Sequence, residues 1–218
     1  MIKQLKEQIM RLLPELISLK KLPEDQYTHM KYPKLIPLMH FGVEQYELDG
    51  FGHLFMMHTT TKMGMELFTL SFMPTTCVKL PYLLIDAMSM KKKQCVFVEY
   101  YGCDMESLFD ERLKEVYEIY QHLPDYQEKE NWYIKEREPY SLIKTGEHTE
   151  LIEMAVASVK AYLSSVEDAE VDLAYKEKLE TFRERMIVEG NPSSKTLSML
   201  LGEEGAVEFM KNAIMPLT

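Results

Sequence analysis

The chain has 218 residues, of which 46% are hydrophobic and 28% are charged, as in an ordinary folded protein with a substantial core. The formal net charge of −10 disfavours general nucleic-acid binding, which needs lysine and arginine contacts to phosphates, but it leaves room for a local basic patch. The three cysteines lack CxxC spacing, and no apolar run reaches the roughly 18 residues that span a bilayer. We therefore expect one cytoplasmic domain over residues 1–218, without a disulfide framework.

The first part of the chain is helical in pattern. Apolar residues recur at helical spacing from Ile2 to Leu19. Pro14 is expected to kink or divide this helix, because proline cannot donate a backbone hydrogen bond. Residues 22–38 contain three prolines and are expected to form an irregular connection.

Residues 40–101 have the pattern of β-strands. Five strand-length segments are rich in aromatic, β-branched and methionine residues; they are 41–48, 53–61, 65–73, 82–90 and 95–101. The connections, such as Asp49-Gly50, are too short for parallel neighbours, so the pattern predicts an antiparallel meander. The strands are apolar at both odd and even positions, which predicts a sheet that is covered on both faces.

After residue 104 the pattern becomes helical again. Amphipathic spacing predicts helices over 108–120, 151–162 and 175–186. Gly190-Asn191-Pro192 ends the third helix, and Ser193 or Ser194 can cap a further helix, which a last short helix follows. Helices before and after an antiparallel sheet that is apolar on both faces predict an α/β (α+β) protein built as a three-layer α/β/α sandwich.

Several common motifs are missing from the sequence. It contains no GxGxxG, no GxxxxGK[ST] and no GxSxG, so a dinucleotide site, a P-loop and a hydrolase elbow are not indicated. His53 and His58 are five residues apart on a predicted strand and therefore point to opposite faces. His148 and Glu150 have no further ligands at suitable spacing, so we expect no metal site.

Asp86 is the strongest candidate for chemistry. It lies in a predicted strand, and Leu84 and Met88 are its neighbours on the same face. Poor hydration of an isolated carboxylate raises its pKa, so the group can hold a proton near neutral pH and donate it to a substrate. The alternative is a structural role, with Asp86 near a strand end or paired with a cation such as Lys79.

Two motifs resemble the ferredoxin-dependent bilin reductases. The first runs from Met73-Pro74 to Leu80-Pro81 and on to Asp86. The second is Lys195-Thr196, followed by a leucine-bearing helix and Glu208-Phe209-Met210. The segment from Trp132 to Lys144 aligns more loosely.

This resemblance implies an α/β/α fold in which a linear tetrapyrrole lies between the sheet and the C-terminal helices. It implies no flavin, nicotinamide or metal cofactor, because ferredoxin or flavodoxin passes electrons to the bound pigment and protein acids supply protons. By the resemblance, Asp86 is the central proton donor, and Lys195 and Lys144 bind the substrate's carboxylates.

The sequence departs from the family pattern at two strand positions. Thr69, which we expect to contact the substrate, stands where the family has a catalytic histidine, and Met57 stands where it has a glutamate. His58 is one place along and should face the other side of the sheet, so it cannot simply replace the glutamate, although it remains a substrate-binding candidate. Otherwise His58 is a solvated or hydrogen-bonded strand residue.

Three other features have two interpretations each. Glu99 is either a second acid in the pocket or half of an ion pair with a helix lysine. The seventeen methionines either fill the core or line a broad apolar pocket. Lys91-Lys92-Lys93 is either a solvated turn or a patch that meets an acidic ferredoxin.

Three functions therefore compete at this point. The first is a ferredoxin-dependent reductase of a linear tetrapyrrole or similar conjugated ligand. The second is a non-catalytic tetrapyrrole-binding or carrier protein of the same fold, which the missing histidine and glutamate suggest. The third is a protein-interaction domain that keeps only the scaffold.

Overall fold

The computed structural model describes residues 1–33, 35–75, 78–90, 93–102, 108–166, 168–191 and 193–217. In these ranges the helices are α1 (Ile2–Leu16), α2 (Leu108–Tyr120), α3 (His148–Leu163), α4 (Leu173–Val188) and α5 (Ser194–Phe209). The strands are β1 (Leu19–Lys21), β2 (His29–Tyr32), β3 (Met39–Leu48), β4 (Gly52–Thr61), β5 (Glu66–Pro74), β6 (Tyr82–Met90), β7 (Lys93–Tyr101) and β8 (Leu142–Thr145). A 3₁₀ turn covers Trp132–Glu136, and a π-helical turn covers Met210–Ile214.

The strands form one antiparallel sheet in the order β1-β3-β4-β5-β6-β7-β8. β1 and β2 pair with the same edge of β3, β1 near the end of β3 and β2 near its start. The five predicted strands correspond to β3–β7, so the meander is confirmed. The sequence pattern missed β1, β2 and β8. They have only three or four residues each, too few to show a period of two, and each pairs with a longer neighbouring strand.

Two separate apolar clusters cover the two faces of the sheet. On one face, α1, α2 and α3 pack on the sheet through residues such as Leu5, Ile9 and Leu151. On the other face, which we call the cavity face, α4, α5 and the π-helical turn pack through residues such as Leu179 and Phe209. The predicted three-layer α/β/α sandwich is confirmed.

Proline and glycine shape two of the helices. The prediction that Pro14 divides the first helix is wrong. Pro14 lies in the last turn of α1, which ends two residues later at Leu16. Gly202 does interrupt α5, with a positive φ of 78° that glycine adopts without a steric penalty. The prediction of two helical segments in this region is therefore confirmed, and the break lies at Gly202.

The C-terminal segment is fastened to the cavity face by buried polar contacts. His53 Nε2 donates to the carbonyl of Ala213 at 2.9 Å, and Arg183 Nε donates to the carbonyl of Met215 at 2.6 Å. Ser71 Oγ donates to the carbonyl of Ile214 at 3.3 Å. These bonds hold the segment that follows α5 against β4, β5 and α4.

No helix in the described ranges has both the length and the apolar character needed to cross a membrane. Cys95 is buried and carries a free thiol. Cys77 and Cys103 lie outside the described residues.

Candidate functional site

A cavity of about 440 Å³ lies on the cavity face. Its floor is the half of the sheet where β3 and β5 begin, its roof is the start of α5, and one wall is the segment 126–137, which we call the cavity loop. The volume falls within the roughly 300–1,000 Å³ of small-molecule sites. The lining residues are Met39, Phe41, Met57, Thr59, Met65, Leu67, Thr69, Asp86, Ala87, Met88, Phe97, Glu99, Tyr126, Glu128, Lys129, Asn131, Tyr133, Arg137, Ser193, Thr196 and Leu197.

The floor contains a row of four directly paired residues on four neighbouring strands. Met57 of β4 pairs with Thr69 of β5, Thr69 pairs with Asp86 of β6, and Asp86 pairs with Phe97 of β7. Directly paired residues in a sheet point to the same face. The register therefore brings together the three positions at which the sequence was compared with the bilin reductases.

Asp86 lies in the middle of this row and is partly accessible from the cavity. Thr69 Oγ1 donates to Asp86 Oδ1 at 2.5 Å. Burial raises the pKa of Asp86 to about 6, against the opposing effect of the hydrogen bond from Thr69. A carboxyl group with this pKa exchanges protons readily near neutral pH.

Among the described residues, no cation forms an ion pair with Asp86. Lys79, the partner considered in the structural alternative, lies instead 3.9 Å from Glu170. Asp86 is also in the interior of β6 and not at its end. Within the described residues, Asp86 therefore has neither the strand-end position nor the cationic partner of the structural alternative.

Glu99 is a second carboxyl group on the cavity floor, and it is only 1% exposed. Arg137 Nε donates to Glu99 Oε1 at 2.6 Å, and the hydroxyl of Tyr101 donates to the same oxygen at 2.6 Å. An ion pair with a helix lysine was one of the two roles expected for Glu99 from the sequence. The ion pair exists, but its cation is Arg137 from the irregular cavity loop.

Arg137 also pairs with a second carboxylate. Its two terminal nitrogens donate to Glu128 at 2.5 and 2.7 Å, a bidentate arrangement. Its side chain is 9% exposed. Burial raises the pKa of Glu99 to about 7, although Arg137 and Tyr101 both favour the charged carboxylate. Burial and the Glu99 carboxylate raise the pKa of Tyr101. Burial lowers the pKa of Arg137, but Glu128 and Glu99 outweigh it and raise that pKa, so the guanidinium stays charged.

The cavity loop is held at several points besides Arg137. The amide of Tyr126 donates to the carbonyl of Ile143 at 2.9 Å, and the Tyr126 ring packs edge-on against Phe97. Trp132 Nε1 donates to the carbonyl of Gly190, beyond the end of α4, at 2.8 Å. The loop therefore forms a fixed wall between the sheet and the helices.

Lys129 is a cation on the cavity loop that no sequence motif distinguishes. It lines the cavity, its side chain is exposed, and it forms no ion pair in the described part of the chain. Arg137, the other cation that lines the cavity, is already engaged by Glu99 and Glu128. Lys129 is thus the lining cation that is available to an anionic ligand.

Three residues named from the sequence do not line the cavity. His58 points to the opposite face, as its position next to Met57 predicted, and its Nε2 lies 3.8 Å from Glu66. Burial lowers the pKa of His58. Lys144 also points to the opposite face, where its ammonium donates to Asp125 at 2.6 Å and to the carbonyl of Gln121 at 2.9 Å. Lys195 is exposed on α5, next to the lining residue Thr196.

No group of three or more histidine, cysteine, aspartate or glutamate side chains comes close enough to hold a metal ion within the described ranges. The arrangement that is present is a largely apolar cavity with two carboxyl groups of raised pKa and one available lysine; Asp86 has no ion-pair partner among the described residues, whereas Glu99 is ion-paired. Such a cavity can bind a conjugated carboxylate-bearing molecule and exchange protons with it.

The three-layer sandwich is the fold of the ferredoxin-dependent bilin reductases. A solved structure with this fold is that of phytochromobilin synthase from tomato in complex with biliverdin. The match has a TM-score of 0.76 and covers 98% of this chain and 82% of that chain, at 13% sequence identity. No protein-family model and no curated protein sequence matches the chain.

Proposed function

We propose that this protein is a reductase of a linear tetrapyrrole, with Asp86 as the proton donor and ferredoxin or flavodoxin as the electron donor. The observation that carries the proposal is the placement of Asp86. It is a carboxyl group with a pKa raised to about 6, without a cationic partner among the described residues, on the floor of an otherwise largely apolar cavity. A protein of the same fold was solved with biliverdin bound.

The cavity suits an extended, flat and mostly apolar ligand. Met39, Met57 and Leu67 line the sheet side, and Phe97 and Tyr126 contribute aromatic surface. Methionine side chains adapt to irregular apolar shapes and pack well against aromatic systems. We infer that the pyrrole rings lie on this surface with Asp86 beneath them.

Lys129 is the residue that we assign to a carboxylate of the ligand, since it is available and lines the cavity. Lys195 remains a second candidate, because it is exposed beside Thr196 at the roof. Lys144 is left out of the proposed site, because its ammonium is held on the opposite face. Thr69 stands at the position in the row where the family has a catalytic histidine. It acts only through the hydrogen bond that its hydroxyl donates to Asp86.

The proposed reaction adds two electrons and two protons to the tetrapyrrole. Two equivalents of a one-electron carrier are oxidised, one for each electron. In a protonation step the O–H bond of the Asp86 carboxylic acid breaks, a new N–H or C–H bond forms on the reduced pigment, and the carboxylate regains a proton from water. A pKa near 6 allows both halves of this cycle close to neutral pH.

Titration with biliverdin, followed by visible absorption, tests the binding half of the proposal. The wild-type protein is expected to shift the spectrum of the pigment at one equivalent. Reduced ferredoxin should then convert the bound pigment, and Asp86→Asn should bind but convert it at least about 100-fold more slowly, the usual size of general acid catalysis. Asp49→Asn, an exposed carboxylate in the β3–β4 turn, is the matched control.

Two other results are informative. If no spectral shift occurs with the wild-type protein, the proposal is wrong for biliverdin. If the pigment binds but is not reduced in the presence of active ferredoxin, the protein is the carrier that the missing histidine and glutamate suggest.

The lysine assignment predicts a difference between biliverdin and its dimethyl ester. Lys129→Met should weaken the binding of biliverdin about tenfold and leave that of the ester nearly unchanged, because the ester has no charged partner for the ammonium. Lys195→Met is the comparison variant. If Lys195→Met has the larger effect, the carboxylate lies at α5 and not at the cavity loop.

A further inference from the structure

One end of the sheet combines exposed apolar side chains with lysines. The turn after β2 contains Leu35, Ile36 and Leu38, which are 96%, 70% and 51% exposed, and the β4–β5 turn contains Met63, which is 89% exposed. They are four of the eleven exposed large hydrophobic residues in the described part of the chain. Exposed apolar residues are unremarkable when scattered, but a contiguous group marks an interaction surface.

Backbone contacts show that the two turns are neighbours. The amide of Lys62 donates to the carbonyl of Leu38 at 2.9 Å, and the amide of Leu38 donates to the carbonyl of Tyr32 at 2.8 Å. Met39 of β3 pairs with Thr61 of β4 directly beside these bonds. We call the surface formed by Leu35, Ile36, Leu38, Met63, Lys31 and Lys62 the rim patch.

The charge at this end of the sheet is opposite to that of the whole protein. Along the ends of β2–β7 that adjoin the rim patch, the charged side chains in the described ranges are Lys31, Lys62, Lys93 and Glu66, against a net charge of −10 for the chain. Glu66 lies 3.8 Å from His58 and is about half exposed. Lys34, Lys91 and Lys92 lie outside the described residues.

The rim patch borders the cavity. Leu38 precedes the lining residue Met39, and Met63 is two residues before the lining residue Met65. Both lining methionines are partly exposed, as is Met88 near the end of β6. A protein that docks on the rim patch is therefore brought close to whatever occupies the cavity.

We propose that the rim patch is the docking surface for an acidic one-electron carrier protein, an inference that rests on the proposed function for the electron-transfer role of the partner. Apolar contacts at the centre of the patch supply affinity, and the surrounding lysines attract and orient an acidic partner. The arrangement shortens the path from the carrier to the pigment.

The test uses an acidic [2Fe–2S] ferredoxin and the full chain. Lys31→Glu/Lys62→Glu removes the charge complementarity, and Leu35→Ser/Met63→Ser removes the apolar centre. Lys160→Glu, on α3 across the sheet, and Leu173→Ser, at the start of α4, are controls with matched exposure. Both patch variants should bind ferredoxin about tenfold more weakly, and the effect of the charge variant should shrink at roughly 0.5 M salt.

A second readout separates docking from chemistry. Reduction of bound biliverdin driven by ferredoxin should slow about tenfold in the patch variants, whereas reduction driven by reduced methyl viologen should stay within about twofold of wild type. Pigment that is not reduced by either donor would contradict the proposed function. The binding of ferredoxin to the patch variants would still test the docking proposal.

Two outcomes overturn the docking proposal. One is ferredoxin binding that is unaffected by either pair of substitutions. The other is a wild-type dimer in sedimentation that Leu35→Ser/Met63→Ser converts to a monomer, since the patch would then be a contact between copies of this chain.

Discussion

Asp86 and Glu99 are two carboxyl groups on the same face of adjacent strands, and their partners give them different roles. Asp86 has a hydroxyl donor from Thr69 and no cation among the described residues, whereas Glu99 has both a guanidinium and a phenol. An ion-paired, almost inaccessible carboxylate is tied to its partners. The carboxyl group with the neutral partner and an opening to the cavity is the one that can exchange a proton with a ligand.

The raised pKa of Asp86 predicts a stability effect that does not depend on any ligand. Between the ordinary aspartate pKa near 4 and the folded-state value of about 6, the folded state binds more protons than the unfolded state, so this group makes stability fall as pH rises. The amide of Asp86→Asn cannot ionise, so the variant does not lose stability through this group as the pH rises. Urea unfolding should therefore show the variant gaining stability relative to wild type from pH 4 to pH 7, and a constant difference would contradict the assignment.

The hydroxyl of Thr69 favours the charged form of Asp86, so its removal should raise the pKa of Asp86 above about 6. Thr69→Val keeps the shape of the side chain and deletes the donor. Carboxyl-carbon NMR of labelled aspartate measures the pKa directly. Thr59→Val, at another threonine that lines the cavity, is the control and should leave the titration where it is.

The sequence revealed Asp86 but not Arg137. A carboxylate with apolar neighbours at period two is visible in a strand pattern, because the local sequence decides which side chains share its face. Arg137 lies in the charged stretch Lys135–Glu138, where nothing local distinguishes a buried cation from exposed ones. Its role depends on its ion pairs with Glu99 and Glu128, which only the folded chain brings next to it.

At the scale of elements, the cavity loop is the wall that sequence patterns could not predict. It contains only a short 3₁₀ turn, and its position comes from contacts with β7, β8 and the end of α4. The long strands and helices were predictable because each is long enough for the regular spacing of its apolar residues to be recognised. The short edge strands were not, because their hydrogen-bonding partners lie elsewhere in the sequence.

Arg137→Met should destabilise the protein by about 3 kcal/mol at pH 8, because Glu99 and Glu128 then lose their shared cation and Glu99 is buried. The cost should be smaller at pH 5, where Glu99 can take up a proton and become neutral. Adding Glu99→Gln should recover part of the loss at pH 8. Denaturant unfolding of the single and double variants measures this, and equal costs at both pH values would disagree with the ion-pair account.

At the scale of the whole molecule, the parts of the site come from two layers of the sandwich, the sheet and the helices on its cavity face, and from distant parts of the chain. The sheet supplies the acids, the cavity loop supplies Lys129 and Arg137, and α5 supplies the roof. The buried bonds from His53 and Arg183 hold the C-terminal segment in place. The layers were predictable from apolar patterning, whereas the cavity between them depends on packing that the patterns do not encode.

The most direct measurement is a single-turnover experiment on the biliverdin complex of the wild-type protein and of Asp86→Asn. The complex is reduced rapidly by one electron, and visible absorption follows the decay of the reduced pigment in H₂O and in D₂O. The account predicts a decay that is slower in D₂O for the wild-type protein, and one that is at least about 100-fold slower in Asp86→Asn, with binding retained. Decay of the Asp86→Asn complex at the wild-type rate would show that the proton comes from elsewhere.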